Sequence, residues 1–171
     1  MSIVKIVSGG QTGADRGGLD AAIYCGVPHG GWCPKGRKAE DGIIPAKYDL
    51  KDMPTSDYLA RTEANVVDSD ATVIFTCGTL EGGSKKTAQF AKKHKKACLH
   101  VDLDVFNRKA AVTMILNWLR DICPAECTLN VAGSRGSKAP MLDQAVMIRM
   151  VDVLSAVNPE CRKFYPIPEE G

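Results

Sequence analysis

The stretch Ile3-Val4-Lys5-Ile6-Val7-Ser8-Gly9-Gly10-Gln11-Thr12-Gly13-Ala14-Asp15-Arg16-Gly17-Gly18-Leu19-Asp20-Ala21-Ala22 decides the fold class. A short β-branched run ends in a glycine turn, and Leu19, Ala22 and Ile23 then recur at helical spacing. That reads as a buried strand, a tight loop and a helix. Further strands are predicted at Ala71 to Thr76, Ala97 to Val101 and Thr128 to Ala132. Between them, Leu59/Glu63/Val66/Val67, Val112/Ile115/Leu116/Leu119 and Leu142/Val146/Met150/Val153/Leu154 mark helical faces. Another helix is predicted over about Lys85 to Lys96, its basic end complementing the helix dipole. Strand alternating with helix predicts an α/β fold, a mainly parallel sheet with helices on both faces. The C-terminal ends of its strands then share one edge, where open α/β sheets bind ligands.

Three glycine loops fall on that edge: Ser8 to Gly18, Cys77-Gly78-Thr79-Leu80-Glu81-Gly82-Gly83-Ser84, and Gly133-Ser134-Arg135-Gly136-Ser137. Each follows a predicted strand and is expected to open a helix. Glycine lets backbone amides turn inward, and a first helical turn leaves N–H groups free, so each loop is a candidate phosphate cradle. Gly17 and Gly18 lie within a helical pattern, which calls for close approach either by a ligand or by packed backbone. Three cradles together point to a ligand with more than one anionic group.

Known phosphate fingerprints are absent. The first loop lacks G-x-G-x-x-G, and Ser84 stands where a Walker loop needs lysine, so neither hydride transfer nor ATP hydrolysis is supported. The long segment Gly30-Gly31-Trp32-Cys33-Pro34-Lys35-Gly36-Arg37-Lys38-Ala39-Glu40-Asp41-Gly42 is too rich in Gly and Pro for regular structure. In it Lys35 and Arg37 are candidates to clamp phosphate, and Trp32 to stack on a flat heterocycle; solvated cations and a core tryptophan are the competing readings. Arg61 and Asn65, four apart on one helix, are expected to project together toward the loop edge, with a surface Arg61 paired to Asp57 or Asp68 as the alternative.

Composition narrows the partners. Lys plus Arg number 22 and Asp plus Glu 20 among 171 residues, which leaves no general footprint for nucleic acid. The longest apolar run is five residues, Ala21 to Cys25, far below the roughly 18 to 20 of a membrane span. Seven cysteines without a C-x-x-C, and a first strand in place of a signal peptide, predict reduced thiols and a cytoplasmic location. No linker or repeat divides the chain, so residues 1–171 are read as one domain with an extended tail at Pro159 to Gly171.

Ser8 to Ala22, Gly30 to Gly42, Tyr58-Leu-Ala-Arg-Thr-Glu-Ala-Asn-Val-Val-Asp-Ser-Asp-Ala-Thr-Val-Ile-Phe75 and Glu81-Gly-Gly-Ser-Lys-Lys-Thr87 together resemble the molybdenum cofactor carrier family over nearly the whole chain. The resemblance implies a Rossmann-like three-layer sandwich related to the lysine-decarboxylase-like, or "Lonely Guy", proteins. It implies a homodimer or homotetramer that binds molybdenum cofactor, a phosphorylated molybdopterin, and hands it to molybdoenzymes. Related phosphoribohydrolases use an arginine eight residues before Ser-Asp and a glutamate after P-G-G-x-G-T. Arg61 matches before Ser69-Asp70, but Phe90 falls where the glutamate belongs. A carrier without catalysis is therefore expected, with a nucleotide-binding or nucleoside-monophosphate-hydrolysing enzyme as the alternative. The expected ligand-binding set is Gly9, Gly10, Gln11, Thr12, Gly13, Asp15, Arg16, Trp32, Lys35, Arg37, Arg61, Asn65, Gly82, Gly83, Ser84, Thr87, Ser134 and Arg135.

Overall fold

In the computed structural model, which describes residues 1–161, the chain runs β1 (Ser2–Val7), α1 (Ala14–Cys25), β2 (His29–Gly30), β3 (Trp32–Cys33), β4 (Lys38–Ala39), β5 (Gly42–Ile43) and β6 (Lys51–Asp52). It continues through α2 (Tyr58–Val67), β7 (Ala71–Thr76), α3 (Gly82–Lys93), β8 (Ala97–Asp102), α4 (Arg108–Ile122), β9 (Glu126–Gly133) and α5 (Leu142–Val157). The main sheet has the order β2-β1-β9-β7-β8, with every pairing parallel. This is the expected Rossmann-like α/β sandwich.

β7 is buried at all six residues, as a central strand covered on both faces must be. β9 lies between β1 and β7: Leu129 stands beside Ile6 on one side and Ala71 on the other. α1 and α5 pack together with α4 beside α5, and α2 packs with α3. Right-handed crossovers running in opposite directions from β1 and β7 account for the two helical layers. The core between the sheet and the α1/α5 layer gathers Ile3, Ile6, Leu129, Val131, Val146, Met150 and Leu154, each fully buried. Burial of each such side chain contributes about 1.5–3 kcal/mol.

Gly17 and Gly18 belong to this packing. A Cβ on Gly17 would stand 2.5 Å from the Asp143 carbonyl and 2.8 Å from Val146 Cβ; one on Gly18 would stand 2.6 Å from Val131 Cβ. Of the two readings of this pair, close packing of the helix against α5 and the sheet is the one observed.

Three local expectations are corrected. The segment after α1 holds short strands: β3 pairs with β6, and β4 with β5 in a hairpin. The third glycine loop does not open a helix directly, because turns over residues 136–141 precede α5. Cys25 and Cys161 form a disulfide across 136 residues, their Cα atoms 4.6 Å apart, where seven thiols were expected. The tail expected from Pro159 onward lies, from residue 162, outside the described residues.

Candidate functional site

Chain direction across the sheet reverses between β1, which leads outward to β2, and β7, which leads outward to β8. At that switch point the C-terminal ends of β1, β9 and β7 leave a crevice, the usual ligand position of an open α/β sheet. A cleft of about 450 Å³ occupies it, lined by residues of all three glycine loops and of α2.

The floor is built by Gly9, Asp15 and Arg61. A Cβ on Gly9 would collide with Nη1 of Arg61, so the missing side chain is what lets the guanidinium lie on the loop. Nη1 donates to Asp15 Oδ2 at 3.1 Å, and the Gln11 amide donates to the same oxygen at 3.1 Å. Burial pushes the Asp15 carboxyl above the ordinary aspartate range, against the downward pull of Arg61. Arg61 Nε is buried without a hydrogen-bond partner. A guanidinium held by so few of its five donors can still receive an anion.

One wall is the N-terminus of α3. Its N-cap, Glu81, makes no side-chain capping bond, so the first turn's amides are left for a ligand. No heavy atom lies within 4 Å of a Cβ built on Gly83, and Gly82 meets only Lys138 Nζ. Ser84 and Thr87 are buried on the cleft side, and the Thr87 hydroxyl donates to the Gly83 carbonyl at 3.0 Å. Lys38, Arg135 and Lys138 bring three exposed cations to the rim.

Of the residues expected from sequence, Gly9, Gln11, Asp15, Arg61, Asn65, Gly82, Gly83, Ser84, Thr87, Ser134 and Arg135 meet at this cleft. Asn65 serves the scaffold there, its amide clasping the Trp32 backbone through both N–H and C=O. The other seven stand outside the lining. Gly10 abuts Leu50 and Ile44, and Gly13 abuts the Ser134 backbone. Thr12 bonds Glu40 and the Gly136 amide. Arg16 grips Asp41 through two bonds of 2.5 and 2.7 Å.

Trp32 donates from its indole to Asp68 at 2.7 Å and borders a separate groove of about 430 Å³ with Met53, Pro54 and Ala60, so it does not stack in the cleft. Arg37 lies off the cleft lining too. It donates to the carbonyls of Ile44, Pro45, Tyr48 and Leu50 and so stitches its own segment. Lys35 is exposed and lies off the cleft. The cleft is also lined by Lys38, Glu81 and Lys138, which sequence reasoning missed, and by Glu40, a carboxylate that would serve the enzyme alternative. Lys38 and Glu40 stood in the segment singled out for its length, three and five residues past the lysine that was favoured.

Residues 6–154 match the circularly permutated YpsA SLOG family. The chain belongs to that family. A crystal structure of a protein from Syntrophus aciditrophicus, named "Putative molybdenum carrier protein", is similar at 50% identity, with a TM-score of 0.84 over 90% of this chain and 95% of that one. No curated protein matches the chain. The expected kinship with molybdenum carriers thus holds, within a circularly permutated YpsA SLOG fold whose cleft sits at the sheet's switch point. No helix among the described residues is long and apolar enough to cross a membrane.

Proposed function

We propose that the chain binds molybdenum cofactor in this cleft and carries it, without catalysis, for storage or delivery to molybdoenzymes. The observation that carries this reading is the pairing of Arg61, buried with donors to spare, with the uncapped N-terminus of α3 across one cleft. Both features favour a phosphate, and the resemblance to a protein named as a molybdenum carrier supports a phosphorylated pterin as its bearer. The phosphate would rest on the amides of Gly82 to Ser84 with Arg61 beneath. The pterin would occupy the space toward Gln11 and Ser134. A homodimer or homotetramer in the cytoplasm belongs to the same proposal.

Native mass spectrometry of protein purified without oxygen tests it. The expected result is a mass increment equal to phosphorylated molybdopterin with its metal, alone or in a dinucleotide form, on a dimer or tetramer. A nucleotide mass in its place overturns the carrier reading.

The alternative, hydrolysis of nucleoside monophosphates, gains one observation: the carboxylates of Asp15, Glu40 and Glu81 line the cleft. Asp15 is already engaged as an acceptor, by Arg61 and Gln11. The carrier reading therefore expects no adenine from adenosine monophosphate in a chromatographic assay. Turnover within the enzymatic range of about 1 to 1,000 per second establishes the hydrolase instead.

A further inference from the structure

Glu40 stands in the turn of the β4–β5 hairpin, and its carboxylate reaches across to the loop after β9. Oε1 accepts from the Ser137 amide at 2.9 Å and from the Thr12 hydroxyl, while Oε2 accepts from the Ser137 hydroxyl at 2.6 Å. Arg135 Nε lies 3.6 Å from Oε2. The Thr12 hydroxyl is itself held by the Gly136 amide at 3.1 Å. One carboxylate thus gathers an amide, two hydroxyls and a guanidinium. Burial pushes the Glu40 carboxyl up, but the Ser137 and Thr12 bonds outweigh it and hold the group below the ordinary glutamate range.

That donor set is what a phosphate takes, and nothing in the hairpin's own fold requires it. The hairpin has other moorings: Arg16 holds Asp41, and the Gln11 side-chain oxygen accepts from the Glu40 amide at 2.9 Å. The backbone can therefore stay docked when the carboxylate leaves. Ser134, Arg135, Lys138 and Glu40 itself line the same cleft as Arg61 and the α3 N-terminus, so the site borders that cleft.

We propose that the Ser134–Ser137 loop is a second anion subsite, filled in the free protein by Glu40, and that a ligand bearing more than one phosphate displaces Glu40 from it. The inference rests on the reading above, in which a first phosphate sits at α3, and it names the ligand class as multiply phosphorylated, a dinucleotide form of the pterin being one member. Glu40 then acts as a resident competitor. It keeps the loop's donors satisfied in the free protein and sets the threshold for entry of the second phosphate.

Titration of inorganic phosphate, followed through the backbone amide resonances of Gly83 and Ser137, separates the two subsites. In wild type, Gly83 is expected to saturate first and Ser137 to respond only at much higher phosphate. In Glu40→Ala and Glu40→Gln, Ser137 should respond at phosphate concentrations lower by about tenfold or more, the scale of a displaced charge-assisted bond, with Gly83 unchanged. Glu40→Gln keeps the side chain's shape and guards against a misfolded alanine variant. If Ser137 responds no earlier in either folded variant than in wild type, Glu40 is a hairpin latch and the inference falls. A silent Gly83 counts against the first phosphate position, while Ser137 alone reports the second.

Discussion

Two glycine pairs, Gly17–Gly18 in α1 and Gly82–Gly83 at the head of α3, are the same dipeptide used for opposite ends. At α1 the missing side chains let two helices and a strand close on one another, with Val146 and Val131 where a Cβ would stand. At α3 the space above Gly83 is open to the cleft. A glycine pair in a sequence therefore reports close approach but not what approaches. Its neighbours in the folded chain decide whether that is the protein itself or a ligand.

The largest expected effect falls on the floor of the cleft that Gly82–Gly83 borders. Arg61→Ala should weaken binding of a phosphorylated pterin by about tenfold to a hundredfold, as read by isothermal titration. It should also lower the melting temperature, because Asp15 loses the guanidinium paired with it in a buried site, a change on the order of 3 kcal/mol where the carboxyl is ionised. The Asp15 pKa in the folded state is already above its ordinary value, and the mutation raises it further. The destabilisation is thus fully present above that raised value and shrinks as pH falls and the carboxyl takes its proton. An Arg61 variant of unchanged affinity would leave α3 as the sole anchor and weaken the contrast between the pairs.

Next in size, Gly18→Ala should destabilise by about 1–3 kcal/mol through overpacking against Val131, less the gain in helix propensity, with ligand affinity unchanged. Urea unfolding measures it. A neutral result would mean that the α1/α5 layer yields, and the contrast would blur from the packing side. Gly83→Ala should do the reverse and stabilise by up to about 1 kcal/mol, since the added methyl meets open space in a helix. A destabilised Gly83→Ala would place hidden packing where the structure has none.

The smallest effect belongs to the hairpin. The Arg16 hydrogen bonds hold the Asp41 carboxyl below the ordinary aspartate range, so its contribution is present above that ordinary value and is lost as pH falls through the lowered one. The pair is half exposed on the Asp41 side, which limits the effect of Asp41→Asn to about 0–1 kcal/mol. Urea unfolding of both proteins across that pH range checks the sign.

What the sequence made legible follows from how local each signal is. The strands at Ile3, Ala71, Ala97 and Thr128 and the helical faces between them are short-range patterns of apolar residues, and they stand where expected. β2 escaped because a two-residue edge strand has no periodicity to read. The segment from Gly30 to Asp52 escaped for a different reason. Arg37 organises it by satisfying four carbonyls 7 to 13 residues away, and such a centre leaves no repeat in the sequence. The same limit holds at the site. Arg61 and the α3 loop were visible as motif residues, whereas Lys138 and Glu40 acquire meaning only from loops that the fold brings opposite them.

The position of β9 bears on how the chain is made. Among the described residues β9 is the last strand in sequence yet lies between β1 and β7, so a nascent chain that ends before Glu126 has the main sheet in two fragments, β2–β1 and β7–β8, each with an unpaired edge toward the missing strand. Pairing that joins residues more than 50 or 120 positions apart closes the sheet late and slowly. Until then those edges are open to other chains, and assembly of the ligand cleft must wait for the same event, since β9 carries its third loop.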